Sequence, residues 1–267
     1  MNVSVEQSQI AWQPLTVRGV AAFARAPLGR LLIVQFVVAL LAAGTVVWFL
    51  HAAWFPEISE AIHQLPAQGE LRSGRLDWQG PTPARLAEGQ FLALVVDLDH
   101  AGEARSPAHV QVEFGRTNCL VFSLLGYVEA AYPQGRIVAF NSAELGPWWG
   151  AWSPAILAVA AGLVVVGLVV TWGCLATVYS LPVWLIGFFA NRDLNLRASW
   201  RLAGAALMPG ALFMCAIVCL YGSGVLDLVR LAVAGAMHLA LSWVYLIVSP
   251  LYLPRQPVAA VKVNPFA

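Results

Sequence analysis

Long uncharged apolar runs alternate with shorter polar stretches along this chain. No charged residue occurs from Leu31 to Leu50, from Ser153 to Ala190 or from Leu202 to Leu226. Between Leu231 and Leu253 the only His or charged residue is His238. Runs of this length match the ~20 apolar residues that cross a ~30 Å hydrocarbon core. They predict an α-helical integral membrane protein with four transmembrane helices, at about 31–54, 154–179 with an extension to 190, 202–221 and 226–252. The first run is longer than the ~7–15 apolar residues of a cleaved signal peptide and reads as a retained signal anchor.

The stretch from Ser153 to Ala190 has room for one long helix or two short ones. Two would need a turn near Thr171–Gly173 and would flip the Arg-bearing 191–201 loop, so one span is expected. Pro154 suits the first turn of that span, and Pro182 is expected to kink or end it. Pro209 is expected to kink the third span, and Gly222-Ser223-Gly224 predicts a short turn before the fourth.

Residues 55–149 break this pattern. Glu57 to Gln64 reads as a short helix. Beyond Pro66, apolar stretches recur at Glu70–Trp78, Gln90–Leu98, His109–Phe114, Cys119–Leu124 and Arg136–Phe140, with Gly, Pro, Ser and Asp clusters between them. This punctuation predicts a meander of about five strands, and so a small β-rich (α+β) domain between the first and second spans.

Composition supports the membrane reading. Charged residues make up 11% of the chain, against roughly 25% in soluble domains. A net charge of +1 gives no sign of a nucleic-acid partner. Lys262 is the only Lys among 15 basic residues, which reads as the coding bias of a high-GC bacterial genome. Residues 1–30 carry Arg18, Arg25 and Arg30 against Glu6, a net +2, and residues 191–201 carry Arg192, Arg197 and Arg201 against Asp193, again +2. The tail holds Arg255 and Lys262, whereas residues 55–149 hold six Arg against eleven acids, a net −5. Short basic segments stay in the cytoplasm.

The expected order is therefore a cytoplasmic segment at 1–30, a first span at 31–54, an extracytoplasmic domain at 55–149, a three-helix bundle at 150–253 and a cytoplasmic tail at 254–267. Both termini lie inside a bacterial inner membrane in this reading. Trp48 and Trp54 close the first span, and Trp148, Trp149 and Trp152 open the second, where interfacial indoles prefer to lie.

Candidate chemistry is sparse. Asp97, Asp99 and His100 end an apolar stretch, and a period of two puts both carboxylates on one strand face. Such a set suits a divalent cation, but it is first of all what a strand end and turn look like. His63 and His109 lie elsewhere in the domain. His238 is the titratable group inside a span, with a hydrogen bond to Ser242, Thr171 or Gln35 as its structural role. Ser223 is too far along the helix from His238 to be its nucleophile. Asp227 and Arg230 fit the start of the fourth helix. Arg192, Arg197 and Arg201 suit anionic lipid headgroups as well as the positive-inside rule. Cys119, Cys174, Cys215 and Cys219 form no disulfide framework.

The layout resembles the bacterial membrane proteins of the domain of unknown function 1189 family. The local likeness lies in Leu65-Pro66, Gly69-Glu70-Leu71, Pro81-Thr82-Pro83 and the strand Ala93-Leu94-Val95-Val96-Asp97. The last three spans with their Arg-bearing loop are similar, more distantly, to Yip1-type membrane proteins. Neither resemblance implies a catalytic residue, and this chain departs from the family in being rich in Trp and Arg.

No Walker loop, zincin motif or nucleophile–base constellation occurs, and no cofactor or resident metal is expected. The leading expectation is a non-enzymatic inner-membrane protein whose 55–149 domain binds a protein or envelope partner. Its other partner is the lipid bilayer, and a homo-oligomer is compatible with it. The alternative is a small transporter or channel subunit using the helices and His238. A metal-dependent membrane enzyme resting on Asp97, Asp99 and His100 comes third.

Overall fold

The structure, a computed structural model, describes residues 12–256. Glu6 and Lys262, two of the charges on which the expected orientation rests, lie outside the described residues. The chain divides into two compact units, Val46–Ala161 and the remainder. Four helical segments are long and apolar enough to cross a membrane: Leu28–Gln64, Ser142–Phe189, Leu196–Gly222 and Leu228–Tyr252.

The helical unit begins with α1 (Val17–Ala22), where the Thr16 hydroxyl accepts from the Gly19 N–H at 3.0 Å. Next comes α2 (Leu28–Ala53), whose 26 residues extend about 39 Å at ~1.5 Å per residue. Beyond the β domain run α4 (Ser142–Phe189), α5 (Leu196–Ala206), α6 (Met208–Gly222) and α7 (Leu228–Val248). Phe23, Leu31, Val183, Leu202 and Met208 fill the core of this unit. Asn195 caps α5 through the Ala198 N–H at 2.9 Å, and Asp227 caps α7 through the Arg230 N–H at 2.7 Å. The ordinary end chemistry expected of Asp227 and Arg230 is what the structure contains.

Helix α4 corrects two expectations. It starts at Ser142, so Pro154 lies inside the helix and not in its first turn. It also runs past Pro182 to Phe189. Its stop is Asn191, which takes a left-handed φ of 54°. Asn191 N–H then donates to Phe188 O and Arg192 N–H to Gly187 O, the paired bonds that close a helix C-terminus. The third segment is two helices, broken at Leu207, with Pro209 in the first turn of α6.

The second unit carries α3 (Phe55–Gln64) and eight strands: β1 (Gly69–Arg72), β2 (Arg75–Trp78), β3 (Ala84–Glu88), β4 (Leu92–Val96), β5 (Val110–Phe114), β6 (Asn118–Ser123), β7 (Gly126–Ala131) and β8 (Ile137–Ala139). They form two sheets, β2-β1-β8 and β3-β4-β5-β6-β7, in place of the expected five-stranded meander. The run read as one strand at 70–78 is a hairpin, because Ser73 and Gly74 both take positive φ and make a two-residue turn. β3 and β7 had no place in the expected set.

β4 and β5 pair in parallel, from Leu92 with Val110 to Val96 with Phe114. Parallel neighbours need a crossover, and here residues 97–109 supply it without a helix. This loop covers one face of the larger sheet. Ser106 N–H donates to Gln111 Oε1 at 2.8 Å, and the Arg105 guanidinium lies over the Phe122 ring. On the opposite face, Val96 and Leu86 pack with Ala61 and Leu65 of α3 and with Tyr132 and Phe140.

Candidate functional site

The chemistry of the β unit gathers beneath the crossover. β5 alternates Val110, Val112 and Phe114 with Gln111 and Glu113, so the two polar residues share a face with Ala93 and Val95 of β4. That face is covered by the loop, and Glu113 is only 1% exposed. A buried carboxylate needs partners. Glu113 Oε1 meets His100 Nδ1 at 2.6 Å, and Oε2 accepts from Gln111 Nε2 at 3.1 Å. His100 Nε2 lies 2.7 Å from Asn118 Oδ1, and Asn118 Nδ2 donates to Glu129 Oε1 at 2.6 Å.

Glu129 thus fixes the Asn118 amide with its oxygen toward the imidazole. Both ring nitrogens of His100 then face acceptors, which is the arrangement of an imidazolium. Burial alone would lower the His100 pKa. Hydrogen bonds to Asn118 and Glu113, with the charges of Glu113 and Asp97, outweigh it and raise the pKa above its ordinary value. The backbone bends to reach this position. His100 has a φ of 53°, and a Cβ at Gly115 would run into the imidazole. Only glycine lets β5 end so close to the ring.

The structure separates the predicted trio. Asp97 is 2% exposed, and its Oδ2 accepts from the Gly102 N–H at 3.0 Å to tighten the loop. Asp99 is exposed and pairs with Arg116 at 3.2 Å. His100 turns to Glu113. The one-face expectation for Asp97 and Asp99 fails because β4 ends at Val96, before the period of two reaches them. Both imidazole nitrogens of His100 are engaged, one by Glu113 and the other by Asn118. Among the described residues no group of three His, Cys, Asp or Glu side chains comes together as a metal site. His109 makes an edge contact with Phe91, and His63 is exposed near the end of α3.

Nearby groups are held neutral. Burial, with the Glu113 charge, pushes the Cys119 thiol up. Burial also pushes the Tyr132 phenol well up, and its hydroxyl donates to Gly115 O at 3.0 Å.

The network reaches the surface at Glu129, on β7. This strand is the outer edge of the larger sheet, and all six of its residues are exposed. The two-residue turn before it carries Leu124 and Leu125, and Leu125 is 97% exposed. The other edge, β3, is blunted. Pro83 precedes it, its register shifts between Arg85 and Ala87, and Arg85 pairs with Glu88. Prolines, bulges and charges are the devices that stop an edge from taking a further strand. β7 has none of them beyond Glu129, whose carboxylate is turned back to Asn118.

The remaining predicted residues are spread through the chain. In the helical unit, the His238 imidazole bonds its own helix at Gly235 O, while the Ser242 hydroxyl donates to the His238 carbonyl at 3.1 Å. Gln35 Nε2 donates to Gly204 O at 3.5 Å, so neither Ser242 nor Gln35 serves the ring. Arg192 donates to Leu253 O and Arg201 to Ala24 O, both at 2.7 Å, whereas Arg197 is exposed. The Ser223 hydroxyl bonds Leu220 O within its turn. In the β unit, Trp48, Trp148 and Trp152 are exposed. Trp54 precedes the first turn of α3, and the Trp149 indole donates to Ser59 Oγ at 3.0 Å.

Sequence reasoning missed Gln111, Glu113, Asn118, Glu129 and the β7 edge. One usable signal was Gln and Glu alternating inside a Val-rich strand beside the unassigned stretch Gly126-Tyr127-Val128. Comparison with protein-family models, with curated proteins and with solved structures gives no match for this chain.

Proposed function

We propose that this chain is a membrane-anchored binding module, without catalytic activity, whose β domain takes up a strand from a protein partner along β7. The observation that carries the reading is the exposed, unblunted β7 edge with the Leu124–Leu125 turn beside it. Strand addition to an open edge draws affinity from main-chain hydrogen bonds and specificity from alternate side chains. The four long apolar segments anchor the module in a bacterial inner membrane. Both termini lie in the cytoplasm and residues 55–149 outside, in keeping with the basic short segments and the acidic long one. His100 serves this module by holding the crossover over β5, and Asn118 links it to Glu129 on β7.

The test is a photoreactive side chain placed at Tyr127 or at Arg85 of the full chain in its native membrane. A discrete protein adduct from position 127, absent from 85, is the expected result. Equal adducts from both edges, or none from either, would sink the reading.

A further inference from the structure

Charge in the helical unit is sorted by end. Asp227 and Arg230 stand at the start of α7 and pair with each other at 3.3 Å, so that end is neutral. The 21 residues of α7 carry the chain about 31 Å, at ~1.5 Å per residue, to the short turn Ser249–Tyr252. All other Arg and Asp among the described residues of this unit gather at this second end, seven Arg against one acid, Asp193. Folding accounts for some of them. Arg192 donates to Leu253 O and Arg201 to Ala24 O, both at 2.7 Å, so both fasten backbone. Arg25 pairs with Asp193 at 3.2 Å. Arg18 lies over the Tyr252 ring, and Arg30 over Trp12. Arg18, Arg197 and Arg255 are exposed, and among the described residues no carboxylate pairs with any of them. Like charges crowded in this way repel one another and draw anions from outside.

The same end is also apolar. Leu15, Leu28, Leu196 and Leu251 are exposed, each within four residues of one of these arginines. Trp12 and Tyr252 are exposed with them. A free anion would engage the guanidinium groups and leave the leucines in water. An amphiphile with an anionic head meets both: phosphate on the arginines, glycerol and chains on the leucines, and rings at the level between. Resting on the proposed anchoring of the chain in a bilayer, we propose that this end of the helical unit binds anionic phospholipid headgroups, with Arg18, Arg197 and Arg255 holding the phosphates. The surface is separate from β7 and does not depend on that edge taking a strand.

The test is the full chain in phosphatidylcholine vesicles with a trace of phosphatidylglycerol or phosphatidylcholine, spin-labelled on an acyl chain. The fraction of label slowed by the protein gives the relative affinity of the two lipids. Phosphatidylglycerol is expected to be preferred at least about fivefold, the factor that ~1 kcal/mol from a single arginine supplies. The triple variant Arg18→Gln, Arg197→Gln, Arg255→Gln should bring the preference below about twofold, while Arg230→Gln, at the neutral end, should leave it unchanged. In the native chain the preference should also collapse as salt rises from ~0.1 to ~1 M and the Debye length falls from ~10 to ~3 Å. That measurement holds even if the triple variant fails to fold. Equal slowing of both lipids by the native chain, or an undiminished preference in the triple variant or at high salt, overturns the proposal and leaves the bilayer anchoring intact. Loss of the preference on adding inorganic phosphate at constant ionic strength overturns it too, and makes the site one for a free anion. If neither lipid is slowed, the anchoring falls with the proposal.

Discussion

The helical unit and the β domain invert one another. The β domain buries charge: Asp97 and Glu113 are each at most 2% exposed. Among the described residues of the helical unit, the fully buried polar side chains are neutral, Gln35, Ser199, Ser242 and Ser249, and Leu163, Val166 and Phe189 are bare. Each arrangement is costly in the wrong solvent. A buried carboxylate is tolerable where hydrogen bonds surround it, and a bare Val is tolerable where the surroundings are hydrocarbon. The contrast makes the hairpin of β6 and β7 conspicuous. It exposes Leu124, Leu125, Tyr127 and Val128, the kind of surface that the proposed strand addition would use.

The largest effect is expected where the β domain hides its charge. His100→Ala removes the imidazolium and leaves Glu113 with Gln111 alone. Breaking a buried pair on one side costs about 3 kcal/mol or more. Hydrogen exchange of the full chain across 92–123 should show this as lost protection. The double variant His100→Leu with Glu113→Leu should recover part of the loss, because it removes the orphaned charge. The pH profile carries a sign. The folded pKa of His100 is raised, so its stabilisation is complete below the unfolded value of about 6.5 and is lost as pH rises through the raised value. Protection of residues 98–109 should fall over that window in the native chain and stay flat in His100→Ala. A flat profile in both would mean that the ring is not charged in the fold.

The inverse test belongs to the helices. Val166 is exposed in the middle of α4. In water, Arg there would cost almost nothing. In a bilayer centre it costs about 3 kcal/mol. Val166→Arg should therefore lower the carbonate-resistant, membrane-integrated fraction several-fold. An unchanged fraction would take α4 out of the hydrocarbon and remove the physical basis of the comparison.

What the sequence revealed follows the same division. Charge-free runs announced the four long apolar segments, although their ends were misplaced and the break at Leu207 in the third was not foreseen. Pro182 reads as a kink or an end, yet the helix runs on to Phe189 and Asn191 supplies the stop, because left-handed closure depends on backbone geometry, which no residue count contains. The β domain was legible as strand-rich but not in its order. Gln111 and Glu113 alternate with apolar residues as the solvent side of an amphipathic strand does. Only the parallel β4–β5 pair, and the loop that must cross over it, turns that side inward. The pairing of His100 with Glu113 spans two strands and a loop, so no local spacing encodes it. The β7 edge was missed because Gly126, Ala130 and Ala131 dilute its strand signal.

The smallest effect on stability should occur where the two regions come closest to resembling each other. Val128 is as bare as Val166, 69% against 62% exposed. If exposure alone decided the outcome, Arg at either position would act alike. In the proposed reading β7 lies in water until a partner strand arrives, so Val128→Arg should change the stability of the β domain by no more than about 0.5 kcal/mol. Its effect should lie in capture of the partner, because it sets a charge on the proposed binding edge. A photoreactive group at Tyr127 should then give several-fold less protein adduct, with hydrogen exchange inside the domain unchanged. Loss of folding in Val128→Arg would show that the strand is part of the domain's packing and not a free edge. An undiminished adduct would move the contact to another surface of the chain.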